Sequence, residues 1–98
     1  MFVIAYDMAT AEANRHHPKG SRGAYSAIER ILIKHGFERT QFSVFAAKDE
    51  NLEQLIRAVL ELRAQDWFGK SVKNIRAFRM EPGTDLTNIF IDPNVETV

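Results

Sequence analysis

The sequence predicts an α+β fold, a single ferredoxin-like βαββαβ sandwich with a short extra C-terminal strand. Three observations predict it. Runs rich in β-formers alternate with two amphipathic helical stripes in the order β-α-β-β-α-β. Two such helices suit one face of a four-stranded antiparallel sheet. The chain has 98 residues, enough for one domain spanning 1–98 and not for two.

Phe2-Val3-Ile4-Ala5-Tyr6 is an apolar run that reads as a buried central strand, ended by Asp7. Residues 9–23 hold Asn14, Pro18, Gly20, Ser21 and Gly23, which predicts a long loop. Ala24 to His35 is a helix whose Ala24, Ile28, Ile31, Leu32 and His35 share one face. Gly36 then sits where a left-handed cap is needed. Phe37 to Ala47 is about twice a usual strand length, so a turn near Gln41–Ser43 divides it, or it is one bent strand.

Asn51 is placed as an N-cap, with Gln54 in the capping-box position. Leu52, Leu55, Ile56, Val59 and Leu62 form the buried stripe expected of the second helix. Trp67 and Phe68 seal the rim of the core. Val72 to Glu81 is a fourth strand, stopped by Pro82-Gly83. Ile89-Phe90-Ile91 is the extra strand and needs a sheet edge, its own or a partner's. Residues 92–98 read as a frayed tail.

Composition narrows the function. Apolar residues make up 45% and charged residues 27%, ordinary for a soluble globular protein. No apolar run approaches a membrane span. The opening MFVIAYD has no basic region and reads as a strand rather than a signal peptide. There is no cysteine, which excludes disulfides, thiolate metal sites and cysteine nucleophiles and fits the cytoplasm. Net charge is zero, but its distribution is uneven. Arg15 to Arg39 holds six Lys/Arg, all three His and two acids, whereas Glu81 to the end holds four acids and no base. That pattern permits a basic face with an acidic tail, or a mixed solvated surface. Phosphate-loop, dinucleotide, zinc-protease and calcium-loop motifs are all missing.

Asp7 is the first chemical candidate. A carboxylate at a strand end ligates a divalent cation, takes a proton, or caps a turn. The Ser43 hydroxyl can hold a phosphate oxygen or a water, or can simply face solvent. Arg39, Arg76 and Arg79 lie on expected strands, and Arg22 in the basic stretch. They suit phosphate contacts or solvated charge equally. Tyr6 and Tyr25 can stack on bases or pack in the core. His16 and His17 can act as acid or base, although adjacent side chains rarely share a target.

Three blocks carry a resemblance: F-V-I-A-Y-D, H-G-F-E-R-T-Q-F-S-V-F (His35 to Phe45), and W-F-G-K-S-V-K-N-I-R-A-F-R-M-E (Trp67 to Glu81). Together they resemble the virulence-associated protein D (VapD) family, itself similar in fold to the CRISPR-associated protein two endoribonucleases. The resemblance covers residues 1–8 and 24–91. It implies a ferredoxin-like homodimer that cleaves RNA, in some members as a toxin encoded beside an antitoxin protein. It implies that Asp7 is the aspartate associated with activity and that Ser43 is its neighbour across the sheet. It further implies that two Asp7 carboxylates, one from each subunit, approach each other and share Mg2+ or another divalent cation. Phe42 and Phe45 stand where the family pattern Q-G-S-V-Y has glycine and tyrosine. Some members of the related family are non-catalytic scaffolds, so the alternative is a dimeric module that binds nucleic acid or protein.

Overall fold

A computed structural model describes residues 1–81. The chain runs β1 (Phe2–Met8), α1 (Thr10–His16), α2 (Gly20–Lys34), β2 (Glu38–Gln41), β3 (Val44–Ala47), α3 (Leu52–Ala64), α4 (Phe68–Ser71) and β4 (Val72–Arg79). The strands form one sheet in the order β2-β3-β1-β4, and every neighbouring pair is antiparallel. This is the α+β, ferredoxin-like arrangement expected from the sequence. Ile89-Phe90-Ile91 and the tail lie outside the described residues.

β1 is the central strand, paired with β3 on one side and β4 on the other. A strand's side chains alternate between faces. Phe2, Ile4, Tyr6 and Met8 enter the core beneath the helices with Phe45 of β3. Val3, Ala5 and Asp7 take the opposite, open face. From α2 the core receives Ala24, Ala27, Ile28, Ile31 and Leu32; from α3 it receives Leu55, Ala58 and Leu62. Trp67 and Phe68 are buried at its rim, as their apolar bulk requires.

Local signals hold where they concern caps and turns. Gly36 has φ +86, a conformation costly for a residue with a Cβ, and closes α2. The Asn51 side chain accepts the Gln54 N–H at 3.1 Å, capping α3. Gln54 does not complete a reciprocal box. Its side chain donates instead to the His35 carbonyl and ties α3 to the end of α2. Glu61 of α3 accepts from Lys34 Nζ at 2.8 Å and pairs with His35 Nε2 at 2.9 Å across the same junction. These contacts, Lys34 first, hold the Glu61 carboxyl below the usual range. The 37–47 segment is divided by a turn at Phe42–Ser43.

Two expectations need correction. Residues 9–23 are not a loop: Thr10–His16 is a helix, and α2 begins at Gly20 rather than Ala24. Ala11, Glu12 and Ala13 favour helix, and Ala13 is fully buried. The turn formers confine irregular backbone to 17–19, the linker between the helices. The apolar stripe of α3 is also rotated. Leu55 and Leu62 face inward, but Leu52, Ile56 and Val59 are exposed with Leu60. Ala58, small enough for close packing, occupies the inner line in their stead.

Urea unfolding followed by circular dichroism provides a test. Phe45→Ala empties a site with no exposure and should cost about 3–5 kcal/mol. Asn51→Ala removes the cap and should cost about 1 kcal/mol. Leu60→Ser, on the exposed side of α3, should stay within about 0.5 kcal/mol of the parent.

Candidate nucleic-acid interface

Asp7 lies one residue before the end of β1 and opposes Asn74 of β4. The register shifts between Asp7 and Met8, so a bulge sits beside the carboxylate. Bulges re-aim side chains and occur often at functional sites. Asp7 is exposed on the open face, and among the described residues it has no ion pair. Arg76 opposes Ala5, so it shares the Asp7 face two residues along β4. Phe78 opposes Val3 on that face and is 41% exposed.

Ser43 sits in the β2–β3 turn, and its carbonyl accepts the Tyr6 N–H at 3.1 Å. The backbone therefore places it beside the residue that precedes Asp7. Phe42, the other turn residue, leans toward α2. Its ring lies 4.7 Å from that of Tyr25 and is 60% exposed. Arg39 belongs to this helix side too. It opposes Phe45, pairs with Glu29 of α2, and lies 5.6 Å over the Phe42 ring. A groove of about 390 Å³ runs here, with Arg22, Tyr25, Ser26 and Phe42 in its wall. A second, of about 360 Å³, shares Arg22 and Ser26 and continues to Lys19 and Arg30.

The remaining candidates separate. Arg79 opposes Phe2 on the helix side, covers its ring at 5.2 Å, and pairs with Glu50 at 3.3 Å. Tyr6 is 4% exposed and is part of the core. Its buried hydroxyl finds no hydrogen-bond partner among the described residues. Burial, with Tyr25 adding to it, pushes this phenol up to about 12. His16 pairs with Glu12 at 3.2 Å, whereas His17 accepts the Lys19 N–H at 3.0 Å and meets Trp67 edge-on at 4.8 Å. The two imidazoles thus serve different partners. No group of three or more His, Asp or Glu converges among the described residues.

Sequence reasoning missed the α2 groove. Its signal was present: Arg22, Tyr25, Ser26, Glu29 and Arg30 recur at helical spacing. Starting the helix at Ala24 left Arg22 in a loop and hid the stripe.

Fold and site together define a small α+β protein with a carboxylate at the tip of its central strand and basic, aromatic surface beside it. The family model for CRISPR associated protein Cas2 matches residues 1–85. The endoribonuclease VapD of Dichelobacter nodosus is 43% identical over 89 residues, 91% of this chain and 96% of that protein. The endoribonuclease VapD homolog of Neisseria gonorrhoeae is 40% identical over 89 residues, 91% of this chain and 97% of its own. The endoribonuclease VapD of Helicobacter pylori is 34% identical over 91 residues, 91% of this chain and 97% of its own. The chain belongs to the VapD family of Cas2-related proteins.

The Tyr6 phenol makes a prediction about alkaline stability. Below pH ~10 it is neutral in both folded and unfolded chains. Between there and about 12 the unfolded chain ionises it while the folded chain keeps it protonated. Stability is therefore present below the lower value and falls as pH rises through this window. Tyr6→Phe should show a shallower loss there in chemical denaturation, with stability at pH 7 within about 1 kcal/mol of the parent. An unchanged alkaline slope would count against the buried, unpartnered hydroxyl.

Proposed function

We propose that this chain is an endoribonuclease that cleaves RNA phosphodiester bonds as a homodimer, with Asp7 as its catalytic carboxylate. The observation that carries the assignment is the exposed Asp7 on the open face, near the end of the central strand where its pairing with β4 shifts register. Family membership supplies the reaction class.

Pairing through the open faces would cover Phe78 and the half-buried Val44 and Ala46 and bring the two Asp7 side chains toward a shared axis. Two carboxylates brought together would repel, and a divalent cation held by them would offset that charge. One Asp7 accepts the proton of the attacking hydroxyl, from the 2′-oxygen or from water, as that oxygen bonds to phosphorus; the P–O bond to the leaving oxygen breaks, and the leaving oxygen takes a proton from water. Arg76 lies on the same face to hold a phosphate. Ser43 beside β1 can hold a second phosphate oxygen or a water. Arg22 holds flanking backbone from the helix side, while Arg39 and Arg79 would reach phosphate only by giving up Glu29 and Glu50. Tyr6 contributes as the floor beneath Tyr25.

Mg2+ or another divalent cation fits this arrangement only in the dimer. One Asp7 carboxylate per chain is too few by itself, but Mg2+ commonly takes one or two carboxylates together with phosphate oxygens. When bound it would neutralise charge on the phosphate. An RNA substrate suits a cytoplasmic enzyme; among the described residues no helix is long and apolar enough to cross a membrane. In a toxin role, an antitoxin protein covering the Asp7 end would silence it.

RNA cleavage measured with and without chelator, beside Asp7→Asn, tests the proposal. Asp7→Asn should keep the fold and lower the rate by on the order of 10²-fold or more. Equal cutting by both proteins would remove Asp7 from the mechanism. RNA binding with no cutting by the parent would make the protein a dimeric binding module instead. Sedimentation should give about twice the 11.2 kDa chain mass. Phe78→Glu should shift it toward monomer by placing charge in the apolar seam.

A further inference from the structure

We infer that the groove between α2 and the β2–β3 turn is a nucleotide subsite, where an RNA base stacks on Phe42 and Arg22 takes the adjacent phosphate. The inference rests on the endoribonuclease reading and deepens it, because it assigns substrate-contacting residues outside the Asp7 face.

Four observations converge. Phe42 is the most exposed large apolar residue among those described, at 60%. An aromatic ring left in water on a turn gains by acquiring a cover. The ring is also held in place. Tyr25 packs against it at 4.7 Å, and Tyr25 in turn lies 6.1 Å from the buried Tyr6, so the rings form a ladder anchored in the core. A rigid ring loses little freedom when a base lies on it.

The third observation is charge. Among the described residues Lys19, Arg22 and Arg30 have no carboxylate partner. They follow one another along the two joined grooves. Glu29 is the single acid in those walls, and Arg39 neutralises it. The surface beside the ring is thus net positive although the chain is neutral. The fourth observation is Arg39 itself. Glu29 holds its guanidinium over the Phe42 ring, 5.6 Å from the centroid, so a base resting on the exposed part of the ring meets a cation–π pair. Aromatic platforms beside a positively charged groove are the common means of holding single-stranded nucleic acid without reading its sequence.

The occupant is a single strand of RNA, not a duplex, because only an unpaired base can present its face to the ring. The subsite should accept any base, with purines held more firmly than pyrimidines through their larger area. Phe42 then adds a grip on the strand next to Ser43 in the β2–β3 turn.

The test uses the full chain carrying Asp7→Asn, so that the probe stays intact. The probe is a short single-stranded oligoadenylate containing the fluorescent adenine analogue 2-aminopurine. Binding should quench the fluorophore. Adding Phe42→Ala should lower affinity roughly tenfold and abolish the quench, while leaving the salt dependence of binding unchanged. Phe42→Trp should restore both. Phe42→Leu, which keeps apolar bulk without a π face, should not. Arg22→Gln should keep the quench but reduce the salt slope by about one. All substitutions lie on exposed positions, and circular dichroism should show the parent spectrum.

Equal affinity and equal quenching in the Phe42→Ala protein would overturn the subsite. So would Phe42→Leu matching the parent. Binding with a flat salt response and no quench would overturn it and favour a protein partner for the groove. RNA cleavage by the protein with native Asp7 is scored separately. If that protein cuts RNA but Phe42→Ala changes nothing, the subsite alone fails. If it neither cuts nor binds RNA, the endoribonuclease reading fails with it.

Discussion

β1 is hydrogen-bonded along both edges, and its parity governs what each face of the molecule can be. Phe2, Ile4, Tyr6 and Met8 must lie under the helices, because no other strand offers the core so much apolar area. That requirement sends Asp7 to the other side with Val3 and Ala5. A register slip of one residue would drive a carboxylate into an apolar interior and strip out four large side chains. The placement of the acid is thus a by-product of hydrophobic burial, enforced far more strongly than any local contact of Asp7 could enforce it.

From this division follow two surfaces with different characters. The open face carries Ala5, Val44, Ala46 and Phe78, with Arg76 opposite Ala5 and Asp7 near the tip of β1. It suits a second copy of the chain and the chemistry that such pairing brings together. The helix side carries cations and rings along α2, supported by the stack from Tyr6 through Tyr25 to Phe42. The β2–β3 turn joins the two, since Ser43 bonds to the β1 backbone while its neighbour Phe42 reaches α2. A strand of RNA crossing this turn would meet both surfaces.

The arginines show why charge alone is a poor guide to binding. Arg39, Arg76 and Arg79 are equivalent as residues on strands. In the folded chain Arg39 is committed to Glu29 and Arg79 to Glu50, each also lying over an aromatic ring. Arg76 alone of the three shares the Asp7 face. Arg22, from a stretch rich in turn formers, proves to be the cation common to both halves of the α2 groove.

The order of the four strands and the two long helices, the caps at Gly36 and Asn51, a turn within Gln41–Ser43 and the central place of β1 could all be read from residues a few positions apart. Local backbone energetics and hydrophobic period decide such features, and both are written along the chain. The α1 helix was hidden because its Ala-rich segment precedes a cluster of turn formers that dominates the window. The face of α3 was misread because Leu52, Ile56 and Val59 satisfy a helical period as well as the inward line does. Which stripe is buried depends on how closely α3 approaches its neighbours, and Ala58 permits a closeness that no sequence pattern states. The same holds for the pairing of Arg39 with Glu29 and the meeting of Phe42 with Tyr25. Those partners lie ten residues or more apart along the chain and are joined only once the sheet and helix have packed.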